Sequence, residues 1–123
     1  MIGKLCVSLI KCYNRATKSM EFKPRPALII GKSDSGDYNV LPVSKVSDRS
    51  KIDPVYDVPL DPNVYPLLNL TVYSYVRTHK QTVVNYREMG RTFGDMKQDY
   101  PDLYLDVVSK LEDYNKQIFD NIL

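Results

Sequence analysis

Arg77 and His79 are the side chains whose types and spacing bear most directly on chemistry. They stand in Tyr75-Val76-Arg77-Thr78-His79-Lys80, a stretch that reads as extended. Strand alternation puts both on one face, roughly 6–7 Å apart. A guanidinium grips phosphate with a planar fork of donors, and an imidazole titrates near neutrality. Together they suit phosphoryl chemistry in which a proton is moved without a metal ion. His79 is the only histidine, and a lone histidine at a strand end also serves purely structural roles.

A second arginine stands in Lys23-Pro24-Arg25-Pro26-Ala27-Leu28-Ile29-Ile30-Gly31. Each proline fixes its own φ and biases the residue before it towards extended conformations. The segment is expected to form a rigid loop feeding a buried strand, with the fork of Arg25 held in a narrow range of directions. Such a fork suits a phosphate; an ordinary strand-edge charge is the competing reading.

Other chemistries find little support. There is no phosphate-cradling glycine loop, no Gly-x-Ser-x-Gly elbow and no His-Glu-x-x-His pair. Cys6 and Cys12 share one candidate strand and would be roughly 20 Å apart if it is extended. A disulfide tolerates less than about 7 Å between Cα atoms, so both are read as reduced. One histidine and two cysteines make a poor zinc set, and no metal or cofactor is expected. No apolar run of about 18 residues exists to span a membrane. The opening Met1-Ile2-Gly3-Lys4-Leu5-Cys6 is too short in apolar length for a signal peptide, so the chain is read as cytoplasmic.

The elements that must position the two arginines are mostly strands. With 123 residues the chain is expected to form one domain, 1–123, with a real core. Leu5 to Tyr13 reads as a strand, Asn14 to Phe22 as a mobile polar loop, and Ala27 to Ile30 as a buried strand. Ser33-Asp34-Ser35-Gly36-Asp37 is a hairpin turn, and Tyr38 to Val43 the return strand. Pro42 inside it suggests an edge or a bulge. Asp53 to Leu60 looks like a short strand between prolines. Leu70 to Thr78 alternates, with Val72, Ser74, Val76 and Thr78 on one face and Tyr73, Tyr75 and Arg77 on the other. Strand signals fade near Val84.

From Pro101 to Ile122 the period becomes helical: Leu103, Val107, Leu111, Tyr114, Ile118 and Ile122 form one stripe for core or subunit contact. Many short strands and a terminal helix point to a mainly β fold, a small barrel or compact sandwich.

The net charge of +2 conceals an asymmetry. Lys4, Lys11, Arg15, Lys18, Lys23, Arg25, Lys32, Lys45 and Arg49 dominate the first part of the chain. Arg77, Lys80, Arg87, Arg91 and Lys97 form a second basic set, while the last stretch is acidic. If the basic sets converge, they build an anion-binding face. The ten tyrosines offer flat rings on which bases stack.

Arg25-Pro26-Ala27-Leu28-Ile29-Ile30, Leu41-Pro42-Val43-Ser44, Val76-Arg77-Thr78 and Gly94 before the terminal helix resemble, in order and spacing, the MazF/PemK (Kid-like) toxins of bacterial toxin–antitoxin pairs. The resemblance covers nearly the whole chain. It implies an SH3-like small β-barrel with a C-terminal helix, a homodimer, and a metal-independent endoribonuclease acting on single-stranded RNA under control of a cognate antitoxin. By position it implies that Arg25 binds phosphate and takes part in catalysis. Ser44 would supply a small hydroxyl near the scissile group, and Arg77 would match the arginine of the family's Arg-Thr strand.

With His79 as a proton carrier, the expected catalytic set is Arg25, Ser44, Arg77 and His79. Lys18, Phe22, Lys23, Thr78 and Lys80 are the expected RNA contacts. The sequence departs from the family at Pro24, where a glycine is usual, and at His79-Lys80, where an aspartate often follows the arginine. It departs again at Gly3-Lys4-Leu5-Cys6, where Gly-Asp-Ile/Val-Tyr is typical. The rival expectation is a toxin or binding module of the same fold that acts without catalysis on a protein target such as gyrase.

Overall fold

In a computed structural model describing residues 1–123, seven strands form a curled antiparallel sheet closed on one side by a terminal helix. The strands are β1 (Lys4–Asn14), β2 (Ser19–Lys32), β3 (Asp37–Ser44), β4 (Asp57–Leu60), β5 (Ser74–Arg77), β6 (Thr82–Asn85) and β7 (Met89–Asp95). A single turn, α1 (Met96–Asp99), precedes α2 (Pro101–Ile122). The sheet order is β4-β5-β3-β2-β1-β7, with β6 on a separate part of β3. No helix is long and apolar enough to cross a membrane.

The apolar run Ala27 to Ile29 is continuous because this part of the sheet is covered on both faces. Leu28, with its register partners Leu5 and Leu41, packs in the larger core with Val58, Val76, Met96 and Val107. Ala27 and Ile29 point the other way, into a smaller core with Cys6, Ile10, Val40 and Val84. Alternation thus splits β2 and β3 between two cores. At the register, the side chains on the smaller-core side form the second surface of the sheet.

Pro101 opens α2, and Asp102 stands in its first turn, where the positive end of the helix dipole favours a carboxylate. The helix extends from Pro101 to Ile122, as its period predicts. Its stripe is buried only at the start: Leu103 and Val107 lie in the core, whereas Ile118 and Ile122 are 41% and 71% exposed.

Several expectations are corrected. Asn14–Phe22 is not a loop. β1 and β2 pair continuously from Leu5↔Leu28 to Asn14↔Ser19, forming a long hairpin arm. Its turn is closed by Asn14, whose side-chain oxygen accepts from the backbone of Ala16 and Thr17, with Lys18 at φ 54°. The polar run from Asn14 to Ser19 hid a hairpin that local pairing specifies.

The segment Lys23–Pro26 belongs to this strand too. Its prolines are tolerated because β3 pairing begins only at Ala27, so the far edge of β2 has no ladder there to interrupt. Pro42 is neither at an edge nor in a bulge. It lies between Val40, paired to β6, and Val43, paired to β5, where the partner strand changes.

Three further segments differ. Asp53–Tyr56 is a turn ahead of the shorter β4. Val72 is exposed because β5 starts only at Ser74. β7, unread in the glycine-containing Met89–Asp95, forms an irregular edge against β1 with two register shifts.

Candidate functional site

Arg25 reaches its place through strand register. Ala27 pairs with Pro42, so two residues on Arg25 comes level with Ser44 at the end of β3. Ser44 in turn pairs with Tyr75, and Arg77 follows two residues later on the same face of β5. All lie on the surface away from α2, since the intervening Val43 and Val76 point into the helix-side core. Arg25, Ser44 and Arg77 line a pocket of about 280 Å³ with Lys45, Asp48 and Lys51. Ser44 and Arg77 also line an adjoining groove of about 460 Å³, together with Lys11, Pro42, His79 and Lys80. The four expected catalytic side chains therefore meet along one connected depression.

Buried against Arg77 is a residue that sequence reading missed. Asp57, the first residue of β4 and the register partner of Arg77, has a fully buried carboxylate. Its Oδ1 accepts from Arg77 Nε at 3.1 Å, and its Oδ2 from Arg77 Nη2 at 3.4 Å. Oδ2 also takes the backbone N–H of Asp53 at 2.8 Å. Arg77 Nη2 donates in addition to the Lys51 carbonyl at 3.0 Å. The guanidinium is thereby immobilised, with part of its surface still open. Nothing in Asp-Val-Pro-Leu marks Asp57 as buried; its partner is 20 residues away in the chain.

His79 approaches the same carboxylate oxygen as Arg77 Nε, its Nδ1 3.7 Å from Asp57 Oδ1. That nitrogen is buried and makes no hydrogen bond. The ring packs near Tyr56 and Tyr114, at centroid distances of 6.1 and 6.2 Å. Burial pushes the imidazole pKa below its usual 6.5; Asp57 works against that shift, and the charge of Arg77 adds to it. A neutral imidazole at the mouth of a cationic groove can accept a proton.

Lys11, Arg25, Lys45, Lys51, Arg77 and Lys80 line the two pockets. The only acid lining them is Asp48, with Asp57 buried behind Arg77. Asp57 is matched by Arg77, and Asp48 is occupied by the hydroxyl and backbone of Ser50, which hold its pKa down. Fixed cations around a groove with so little opposing charge favour an anionic chain.

Beyond the shared wall of Lys45, Val46 and Ser47 lies a cavity of about 620 Å³ lined by Arg49, Ile52, Val72, Tyr73 and Tyr75. The two tyrosine rings lie 5.4 Å apart and tilted. A further depression of about 440 Å³ around Lys4, Asn69, Thr92, Asp95 and Asp99 contains none of the candidate side chains.

The expected RNA contacts are less closely grouped. Lys80 lines the groove. Phe22 and Lys23 stand one strand over from it, as register partners of Lys11 and Ile10, and Lys18 lies at the tip of the arm. Thr78 is fully buried, and its hydroxyl donates to the Tyr56 carbonyl at 2.6 Å. It has no free group to offer a ligand, and the packed turn it anchors explains its position.

No family model matches the sequence, and no characterised relative matches it. Solved structures do. The chain is similar to the Mycobacterium tuberculosis toxin MazF-mt6, with a TM-score of 0.65, 14% identity and coverage of 92% of this chain and 96% of that one. It is similar also to a structure described as an Mtb toxin, with a TM-score of 0.56, 14% identity and coverage of 89% and 98%. At this identity the likeness is one of fold: the chain has the MazF toxin fold.

Proposed function

We propose that the chain is the toxin of a toxin–antitoxin pair and cuts single-stranded RNA as a metal-independent endoribonuclease. One observation carries this reading: Arg25, Ser44, Arg77 and His79 line one cationic depression on a MazF toxin fold. In the proposed reaction the ribose 2′-hydroxyl gives up its proton and attacks the adjacent phosphorus. Arg25 and Arg77 stabilise the charge that grows on the phosphate oxygens, where fixed donors contribute most. Ser44, between the two arginines, offers a hydroxyl to the same phosphate. The 5′-oxygen departs and is protonated, leaving a 5′-hydroxyl end. DNA, lacking the 2′-hydroxyl, is not cut.

Tyr73 and Tyr75 flank the reaction pocket with aromatic surface suited to bases on either side of the scissile phosphate. A cognate antitoxin and a second copy of the chain are the proposed protein partners, and the site is proposed to work in the cytoplasm.

The test is incubation of purified, antitoxin-free protein with a long single-stranded RNA in excess EDTA, followed by mapping of the ends. Discrete cuts with 5′-hydroxyl termini are expected, with an equivalent DNA left intact. Intact RNA from a folded sample would overturn the reading in favour of a toxin that binds a protein target.

A further inference from the structure

The proposed reaction needs a base, and the surroundings of His79 specify which nitrogen can serve. Nδ1 is buried, faces Asp57 Oδ1 at 3.7 Å and has no other partner. Nε2 makes no hydrogen bond either, yet is not among the buried unpaired atoms, so it is the nitrogen open to the groove. A carboxylate beside one ring nitrogen favours the tautomer that carries its proton there.

We propose that Asp57 is a positioning residue that holds His79 in its Nδ1–H tautomer, so that Nε2 faces the groove as the base for the ribose 2′-hydroxyl. This inference rests on the ribonuclease reading. The 2′-O–H bond breaks and its proton passes to Nε2 while the O2′–P bond forms and the P–O5′ bond breaks. The departing O5′ takes a proton from water in the groove, and the imidazolium returns its own to the hydroxide so formed. The products are a 2′,3′-cyclic phosphate and a 5′-hydroxyl, with no net change in water.

The arrangement follows the logic of a buried aspartate orienting a catalytic histidine, with a difference. The same carboxylate also secures Arg77, so one buried acid on β4 sets both the base and a phosphate-binding cation. The other groups facing the ring are Asp53 from the turn before β4, Arg77 and Lys80 from β5 and its following turn, Tyr56, and Tyr114 from α2.

Because His79 is the only histidine, 15N-histidine labelling gives an NMR spectrum of this ring alone. At a pH above its titration, the wild-type protein is expected to show Nδ1 protonated and Nε2 bare. Asp57→Asn, whose amide can donate to Nδ1, is expected to shift the ring towards Nε2–H and to lower kcat by roughly 10²–10⁴-fold, with a rise in KM where Arg77 loses one of its two carboxylate oxygens.

An Nε2–H tautomer in the wild-type protein overturns the proposal, whether or not RNA is cut, and that measurement stands even if Asp57→Asn fails to fold. Wild-type Nδ1–H together with intact RNA would instead remove the ribonuclease reading while upholding the tautomer. A folded Asp57→Asn with the wild-type tautomer would remove Asp57 from its positioning role.

Discussion

Asp57 and Arg77 are Cα partners across β4 and β5, and the guanidinium closes on the buried carboxylate at 3.1 and 3.4 Å. This pair connects fold to site. The carboxylate cannot stay charged and dry without its cation, and the cation is held in the groove by the carboxylate. Arg77→Met is therefore expected to destabilise the protein by about 3–5 kcal/mol, since it strands a buried charge. Adding Asp57→Asn should restore part of that loss. Denaturant midpoints of the single and double variants check both statements, and a single variant as stable as wild type would show that the pair contributes nothing.

Arg25 makes the contrasting case. It is half-buried on β2 and has no ion pair or side-chain hydrogen bond within the chain. Arg25→Ala should therefore alter stability by no more than about 1 kcal/mol, while cutting RNA cleavage by roughly 10²–10³-fold. Parallel thermal melts and EDTA cleavage assays separate the two effects.

His79 should make stability depend on pH. In the unfolded chain its imidazole titrates near pH 6.5; in the fold, burial holds its pKa lower. Between the two values the unfolded state binds more protons, so stability rises with pH through that window. This contribution is fully present above about pH 6.5 and is lost as pH falls through the folded pKa. Melting temperatures from acid to neutral pH should rise for the wild type and flatten over this window in His79→Phe. Equal slopes would show that another group governs the window.

Gly94 is held by close approach rather than by conformation. A Cβ there would meet the Leu68 carbonyl oxygen at 2.9 Å and its Cα at 3.2 Å, both backbone atoms. Gly94→Ala is expected to cost about 1–3 kcal/mol. Gly90→Ala, whose nearest neighbour is the Val7 carbonyl oxygen at 3.3 Å, should cost less. Chemical denaturation of the two variants ranks them, and the reverse order would refute the packing argument.

By itself, the sequence determined the features that depend on neighbours along the chain. The period of Leu103, Val107 and Leu111 after Pro101 sets the span of α2. The Ser33–Asp37 turn, with Gly36 at φ 79°, joins β2 to β3 where its composition predicts. Alternation alone puts Arg77 on the face opposite Val76.

Tertiary structure decided what depends on register between distant strands. The hairpin arm mixes polar residues with exposed Leu9, Tyr13, Met20 and Phe22 and exists through pairing of β1 with β2, a gain that no single residue announces. Asp57 reads as a turn-rich acid until β4 aligns it with Arg77. Only that alignment makes its burial tolerable, because a carboxylate can leave water only when a cation and fixed N–H donors meet it. Likewise, Arg25 and Ser44 are 19 positions apart in the sequence and become neighbours through the β2–β3 register. Local sequence carries the chemistry of each side chain, whereas the partner that charges, orients or exposes it comes from another strand.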